Sequence, residues 1–195
     1  MLLAGPSGSG KSTLAAHLGW PVLRLDDFYR DDDDPLLPRD DAGRADWDAI
    51  GSWNTDDALA AVVRLATTGT VDAPAYSISE SRRTGCHTVA LGDSPAFIAE
   101  GLFADRLVQG CQDAGVLLDA VVLAPSAPVT FVRRFARDVA EARKPVPFLL
   151  RRGWRLLREQ PQIVRRCTLA GMRRLTPHQA RAELATVTAK EPSIV

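Results

Sequence analysis

The chain has 195 residues, 46% of them hydrophobic, which is enough for one substantial packed domain and excludes a disordered chain. Its formal net charge is +0, although acidic residues are dense between Asp26 and Asp57 and arginines between Arg133 and Arg181. A strongly basic nucleic-acid-binding protein is therefore not indicated. The three cysteines form no pair with metal-ligand spacing, and no apolar stretch is long enough to span a bilayer. No signal peptide is recognised at the start, so we expect a soluble, cytoplasmic protein.

Strands and helices are predicted to alternate along the chain. Strands are predicted over residues 1–5, 21–26, 71–76, 87–91, 95–101 and 116–125. Helices are predicted over residues 11–19, 55–69, 102–115, 129–144, 146–160 and 176–187. Thr55 is the predicted N-cap of the second helix, and residues 26–54 have the composition of a long functional loop. This order predicts an α/β fold with a mainly parallel sheet and helices on both faces.

The stretch GPSGSGKST, from Gly5 to Thr13, matches the phosphate-loop pattern G-x-x-x-x-G-K-[ST]. It lies between a predicted buried strand and a predicted helix, which is the context that the motif requires. Backbone N–H groups of such a loop bind phosphate, Lys11 reaches the β- and γ-phosphates, and Ser12 holds Mg²⁺. The residues expected to bind ATP are Gly5, Ser7, Gly8, Ser9, Gly10, Lys11, Ser12 and Thr13.

The remaining sequence narrows the class of nucleotide-binding protein. A Ras-type GTPase would need an Asn-Lys-x-Asp motif, but the only asparagine is Asn54, which Thr55 follows. A transporter-type ATPase would need a Ser-Gly-Gly-Gln-like signature, which is absent. A small kinase remains the main hypothesis, with an ATP-dependent regulator or ligase as the alternative.

Seven aspartates are concentrated between Leu23 and Asp40. No register among them supplies the ligand spacing of an EF-hand, and the run Asp31 to Asp34 is expected to be solvated. Asp26 follows a predicted strand at its carboxyl end, where open α/β sheets bind ligands. Its carboxylate could accept the proton of a reacting hydroxyl, or serve as a helix N-cap or loop acceptor.

Five further motifs follow the phosphate loop in a recognisable order. They are LDDFYR, DWDAIGSW, PAYSISESRR, FIAEG and RRFARDVAEARK. With these motifs the chain resembles the uridine kinases, within the wider group that includes phosphoribulokinase and pantothenate kinase. The resemblance extends from the phosphate loop to about Lys144. It implies one three-layer P-loop kinase domain over residues 1–195, with a substrate-side insertion at about 26–90 and a helical lid at about 130–150.

The resemblance also implies roles for individual residues on the acceptor side. Asp26 would be the general base, Tyr29 would lie close to the nucleoside, and Asp48 would bind the ribose hydroxyls. Ala49 and Ile50 stand where the family has a His-Pro pair. The residues implied for the base-reading hairpin are Tyr76, Arg82 and, near the family's histidine position, Glu80.

Three charged residues are matched to the phosphoryl side. Glu100 corresponds to the family's acidic Mg²⁺-site residue and would act together with Ser12. Arg134 and Arg137 correspond to lid arginines that stabilise the transferring phosphoryl group; a plain basic helix face is the alternative.

The implied function is ATP- and Mg²⁺-dependent phosphorylation of a small-molecule hydroxyl, in the first place the 5′-hydroxyl of a pyrimidine ribonucleoside such as uridine or cytidine. The alternatives are another acceptor (pantothenate, a sugar or a phosphosugar) and a nucleotide-binding regulatory ATPase. The expected partners are ATP and the small-molecule acceptor, without nucleic acid or membrane. An apolar stripe around Trp154 leaves a homo-oligomer open.

Overall fold

The computed structural model describes residues 1–6, 8–125 and 160–188, with side chains as far as residue 185. Ser7, the predicted lid and its residues Arg134 and Arg137 lie outside the described residues. None of the helices in the described ranges has both the length and the apolarity needed to cross a membrane.

The described elements alternate as predicted. The strands are β1 (Leu2–Ala4), β2 (Val22–Arg24), β3 (Thr70–Ser77), β4 (Arg82–Ala90), β5 (Ile98–Glu100), β6 (Ala120–Leu123) and β7 (Arg173–Leu175). The helices are α1 (Lys11–Leu18), α2 (Thr55–Thr68), α3 (Val108–Asp113), α4 (the helical residues 160–169) and α5 (Pro177–Thr188). Short 3₁₀ helices cover Leu25–Phe28, Ile50–Ser52 and Ala104–Leu107.

Five of these strands form one sheet in the order β2-β5-β1-β6-β7, and all of its pairings are parallel. The chain passes from β1 to β2 without pairing them, and β5 later fills the place between the two. β3 and β4 form a separate antiparallel pair with a register shift between Ala75 and Tyr76. The predicted parallel sheet and hairpin are thus both confirmed.

The hydrophobic core lies on both faces of the sheet, because side chains of β1 alternate between them. Leu2 and Ala4 belong to the cluster that contains residues of α2, α3 and α4, whereas Leu3 belongs to the cluster that contains residues of α1 and α5. All three residues are at most 1% exposed. Helices therefore cover both faces, and the predicted three-layer α/β architecture is confirmed.

Local predictions differ from the structure at several places. Of the helix predicted over residues 102–115, only Val108–Asp113 is α-helical, after a 3₁₀ turn over Ala104–Leu107. The N-cap of α2 is Asn54 rather than Thr55, because the Asn54 side chain accepts the backbone N–H of Asp57. The strand predicted over residues 116–125 is limited to Ala120–Leu123. The sequence Arg173-Arg174-Leu175 was not recognised as a strand, yet it pairs in parallel with β6.

Candidate active site

The phosphate loop connects the carboxyl end of β1 to the start of α1. Gly5 has φ +147°, and a Cβ atom there would lie 2.8 Å from Ser9 Oγ and 2.9 Å from the Leu123 carbonyl oxygen. A side chain at position 5 is therefore excluded by both backbone conformation and space. The Lys11 ammonium donates a hydrogen bond to the Gly5 carbonyl over 2.9 Å, which ties the lysine to the start of the loop. Ser12 and Thr13 are exposed in the first turn of α1.

Asp26 lies at the carboxyl end of β2, beside the end of β5. Its Oδ1 atom accepts the backbone N–H of Leu102 over 3.2 Å. A Cβ atom on Gly101 would lie 2.7 Å from Leu25 Cβ and 3.0 Å from Asp26 Oδ1, so the glycine permits this close approach. The structure thus brings the Asp26 carboxylate next to the residues that follow Glu100.

Glu100 ends β5, between the ends of β1 and β2. Burial raises the pKa of its carboxyl group; the positive charge of Lys11 opposes this rise, and the negative charge of Asp26 adds to it. Lys11 and Asp26 are therefore both close enough to Glu100 to act on it electrostatically. The proximity follows from the order of the three strands.

The chemistry of these residues fits a magnesium ion bound together with ATP. Glu100 Oε2 is buried and makes no hydrogen bond to a described residue, so it has an acceptor site that a cation could occupy. Ser12 is exposed at the start of α1. No group of three or more His, Cys, Asp or Glu side chains within the described ranges could hold a metal by itself. That is consistent with Mg²⁺, which proteins usually hold through one or two carboxylates and the substrate phosphates.

Asp27 has different surroundings from its neighbour Asp26. It is 3% exposed, its carboxylate lies 3.7 Å from Arg24 Nε, and it accepts the backbone N–H of Tyr76 in β3. Burial raises the pKa of the Asp27 carboxyl group. Asp27 therefore links the end of β2 to the hairpin.

Aromatic rings form a cluster next to Asp26. The Tyr29 ring centroid lies 6.1 Å from that of Trp47, 6.0 Å from that of Tyr76 and 6.2 Å from that of Phe103. Trp53 lies 5.7 Å from Phe103 and completes this aromatic cluster. These separations are typical of packed aromatic pairs, and Tyr29, Trp47 and Tyr76 remain partly accessible.

Two carboxylates, those of Asp26 and Asp48, lie close enough to Tyr29 to affect its pKa. Burial raises the pKa of Tyr29, and the negative charges of Asp26 and Asp48 raise it further. The Tyr76 hydroxyl donates a hydrogen bond to the Arg30 carbonyl over 3.1 Å. Burial raises the pKa of Tyr76 to about 12. Of the acceptor-side residues named from the sequence, the structure thus brings Asp26, Tyr29, Asp48 and Tyr76 together.

The other two acceptor-side residues lie at the tip of the hairpin. The Glu80 carboxylate accepts a hydrogen bond from Ser77 Oγ over 3.2 Å and makes no other hydrogen bond to a described residue. Arg82 is exposed opposite Ser77 and makes no hydrogen bond or ion pair with a described residue. No contact in the described part of the chain joins either side chain to the aromatic cluster.

The acidic run is more ordered than its composition suggests. Asp31 Oδ1 accepts the backbone N–H of Arg83 over 2.7 Å, which attaches the loop to β4. Asp34 pairs with Arg30 over 2.9 Å, and Asp33 is exposed and makes no such contact with a described residue. Asp32 and Asp33 are exposed as expected, whereas Asp31 and Asp34 are half-buried and hydrogen-bonded to neighbouring residues.

Sequence reasoning missed Trp47 and Phe103, although Trp47 lies inside one of the motifs that it used. It also missed Arg166, which forms an ion pair with the buried Asp105 at 2.9 Å. No local pattern could reveal this pair, because the two residues are 61 positions apart in the chain.

The parallel three-layer fold, with a phosphate loop between its first strand and first helix, is that of a P-loop kinase. A sequence model of the Phosphoribulokinase / Uridine kinase family matches residues 1–144, so the chain belongs to this family of kinases. The expected family membership is therefore confirmed. No curated protein matches the chain significantly in sequence.

Two solved structures are similar to this chain over most of its length. A candidate fructose transport system kinase from a Silicibacter species has 17% sequence identity and a TM-score of 0.50, over 96% of this chain and 84% of that one. A candidate uridine kinase from Bacillus stearothermophilus has 20% identity and a TM-score of 0.46, over 72% of this chain and 78% of that one. At 17% identity, the likeness to the first of these structures concerns the fold and not the acceptor.

Proposed function

We propose that the protein transfers the γ-phosphoryl group of ATP to a hydroxyl of a small molecule, in the first place the 5′-hydroxyl of a pyrimidine ribonucleoside. The products would be ADP and the nucleoside monophosphate. The whole chain would act as one domain, with the substrate-side insertion at about 26–90 and a lid at about 130–150.

The observation that carries this proposal is the position of Asp26 between two sets of residues. On one side are Glu100, at the end of β5, and Lys11, the first residue of α1 at the end of the phosphate loop. On the other side is Tyr29, the centre of the aromatic cluster. A carboxylate that lies between a phosphate site and a flat apolar surface is well placed to act as the base that deprotonates a bound hydroxyl.

On the ATP side, the loop N–H groups and Lys11 would bind the phosphates, and Lys11 would offset the charge on the transferring group. Glu100 and Ser12 would hold Mg²⁺, which neutralises charge on the phosphate oxygens when it is bound. Arg134 and Arg137 would add positive charge from the lid.

On the acceptor side, Asp26 would accept the hydroxyl proton and orient the oxygen toward the γ-phosphorus. The partly accessible rings of Tyr29, Trp47 and Tyr76 would pack against a planar base. Asp48, near Tyr29, would accept hydrogen bonds from paired ribose hydroxyls, since one carboxylate can accept two such bonds.

One contact favours a second candidate, an acceptor without a base, such as a sugar. The Glu80 carboxylate accepts a hydrogen bond from Ser77 within its own turn, and no contact with another described residue supports a base-reading role for it. We therefore assign no preference between uridine and cytidine, and sugars belong in the first assay.

The test is ADP release from Mg-ATP in the presence of single acceptors: uridine, cytidine, deoxycytidine, pantothenate and fructose. Each product is identified by mass spectrometry, and Lys11→Ala protein serves as the blank. We expect a large stimulation by the ribonucleosides. Stimulation by another acceptor alone would contradict the nucleoside assignment and leave the kinase, whereas ADP release that no acceptor stimulates would favour the regulatory ATPase.

A further inference from the structure

Arg166, on α4, contacts the segment that follows β5 at three points. Its Nε and Nη2 atoms donate to the two carboxylate oxygens of Asp105 over 2.9 and 3.0 Å. Nη2 also donates to the Leu102 carbonyl over 2.7 Å, and the guanidinium carbon lies 5.3 Å from the centroid of the Phe103 ring. The guanidinium is therefore fixed in position and orientation by three contacts: a bidentate ion pair with Asp105, a hydrogen bond to the Leu102 carbonyl and a cation–π contact with Phe103.

This contact is partly removed from water. The Asp105 side chain is 1% exposed and that of Arg166 is 30% exposed. A buried carboxylate needs its partner, because an unpaired charge in that position is strongly unfavourable. Arg106 Nε lies 3.6 Å from the same carboxylate and is a weaker second partner. The geometry of residues 102–105 therefore depends on Arg166.

The opposite side of the same segment contacts the acceptor site. The Leu102 N–H donates to Asp26 Oδ1 over 3.2 Å, and the Phe103 ring packs against Tyr29 with centroids 6.2 Å apart. Leu102 thus accepts a hydrogen bond from Arg166 through its carbonyl and donates one to Asp26 through its N–H. The positive charge of Arg166 is also close enough to oppose the rise in the pKa of Tyr29.

We propose that Arg166 is a positioning residue: it holds residues 102–105 so that Leu102 orients the Asp26 carboxylate and Phe103 supports Tyr29. The inference rests on the proposed function, in which Asp26 is the base. Arg166 does not itself contact the reacting atoms in this scheme; it makes their geometry depend on the position of α4.

The kinetic test compares Arg166→Met with Arg165→Met, a change of the exposed neighbouring arginine on the same helix. We expect Arg166→Met to lower kcat by about 10- to 100-fold with little change in the KM for ATP, because a small displacement of a catalytic group costs about this much. Arg165→Met should behave as wild type. Arg166→Lys should recover part of the loss, since an ammonium group can bind Leu102 or Asp105 but not contact all three partners.

A double-mutant cycle separates positioning from general damage to the fold. If Arg166 acts through Asp26, adding Arg166→Met to Asp26→Asn protein should change kcat by no more than about threefold. Losses that multiply in the double variant would overturn the proposal. Arg166→Met leaves the buried Asp105 carboxylate with only its weaker contact to Arg106. If that single variant fails to fold, the cycle is repeated with Asp105→Asn in all backgrounds.

Crystal structures of wild type and Arg166→Met give a readout that does not need activity. The hydrogen bond between Leu102 N–H and Asp26 should be lost and the Phe103 ring displaced in the variant. An unchanged arrangement would overturn the proposal whatever the kinetics show. If wild type phosphorylates no acceptor, the proposed function fails, and the crystal comparison still decides whether Arg166 positions Asp26.

Discussion

Asp26 and Asp27 are consecutive residues of one 3₁₀ helix, yet Asp26 is exposed beside Leu102 and Asp27 is buried against Arg24 and the Tyr76 backbone. The first carboxylate is available to a ligand, and the second links β2 to the hairpin. The pair therefore provides a matched test of which aspartate takes part in the chemistry.

We expect Asp26→Asn to lower kcat by roughly 10²–10⁴-fold with ATP binding retained, because the amide keeps the shape of the side chain and loses the base. Asp27→Asn should change kcat by less than about threefold, since its amide oxygen can still accept the Tyr76 N–H. Steady-state kinetics and ATP binding by calorimetry measure both. A mild Asp26→Asn together with a damaging Asp27→Asn would mean that the base is Asp27.

Lys11→Ala should lower kcat/KM for ATP by about 10²–10³-fold or more, because it removes the positive charge that faces the transferring phosphate. Arg64→Ala removes an exposed cation on α2 and is the control, expected to have wild-type activity. Circular dichroism checks the fold of both proteins. Near-normal turnover by a folded Lys11→Ala protein would reject the phosphate-binding role.

Glu100 should make stability depend on pH. Burial raises the pKa of its carboxyl group above the ordinary value of 4.5, so the native state keeps a proton that the unfolded chain has already lost. Its contribution is therefore complete below pH 4.5 and is lost as the pH rises through the raised pKa. Glutamine does not titrate, so at pH 7 Glu100→Gln should be more stable than wild type by about 1 kcal/mol, or about 2–4 °C in melting temperature.

Melting curves of wild type and Glu100→Gln between pH 4.5 and 7 measure this difference. Other titrating groups, including Asp27, are common to both proteins and cancel. Glu80→Gln, at an exposed position, is the control. A melting-temperature difference that does not grow with pH would contradict a raised pKa of the Glu100 carboxyl group. In a separate measurement, Mg²⁺ should stabilise wild type more than Glu100→Gln.

Asp31→Ala should weaken acceptor binding, because it removes the acceptor of the Arg83 N–H that joins the loop to β4. A loss of about 1 kcal/mol corresponds to a rise of roughly fivefold in the KM for the acceptor. The KM for ATP should not change. Asp33→Ala is the matched control from the same acidic run, and an equal effect of both changes would indicate a general charge effect.

Asp48→Ala should remove the distinction between cytidine and deoxycytidine. In wild type we expect kcat/KM to favour cytidine by about tenfold, because the missing 2′-hydroxyl leaves one hydrogen bond unmade. Asp41→Ala, an exposed change in the same loop, should keep that ratio. Equal rates on both nucleosides in wild type would reject the role of Asp48 without affecting the kinase assignment.

Local patterns predicted the fold well wherever a short stretch carries its own signal. The glycines around Lys11 predict a loop, and the apolar residues before Glu100 predict a buried strand. The structure has both. β7 carries no such signal, because two of its three residues are exposed arginines and only Leu175 is buried. Its place beside β6 is set by tertiary packing.

The site was harder to predict where its geometry depends on distant residues. Sequence order could suggest that Asp26 lies at a strand end, but not that Leu102 donates to it across 76 positions. Glu80, which stands near the position where the family has a histidine, illustrates the same limit. A motif gives the residue type near a position, whereas the contact with Ser77 depends on the conformation of the turn.

The position of β5 between β1 and β2 affects how the chain can fold during its synthesis on the ribosome. Lys11 and Asp26 lie close together in the sequence, yet the strands that precede them, β1 and β2, are two strand spacings apart, about 10 Å. The gap closes only when residues 98–100 pair with both strands. A growing chain that has emerged from the ribosome as far as Ala90 therefore carries the phosphate loop, the aspartate and the hairpin without a sheet to hold them in register. The candidate active site can assemble only after residues 98–100 have been synthesised, so truncated products that end before Glu100 will lack it.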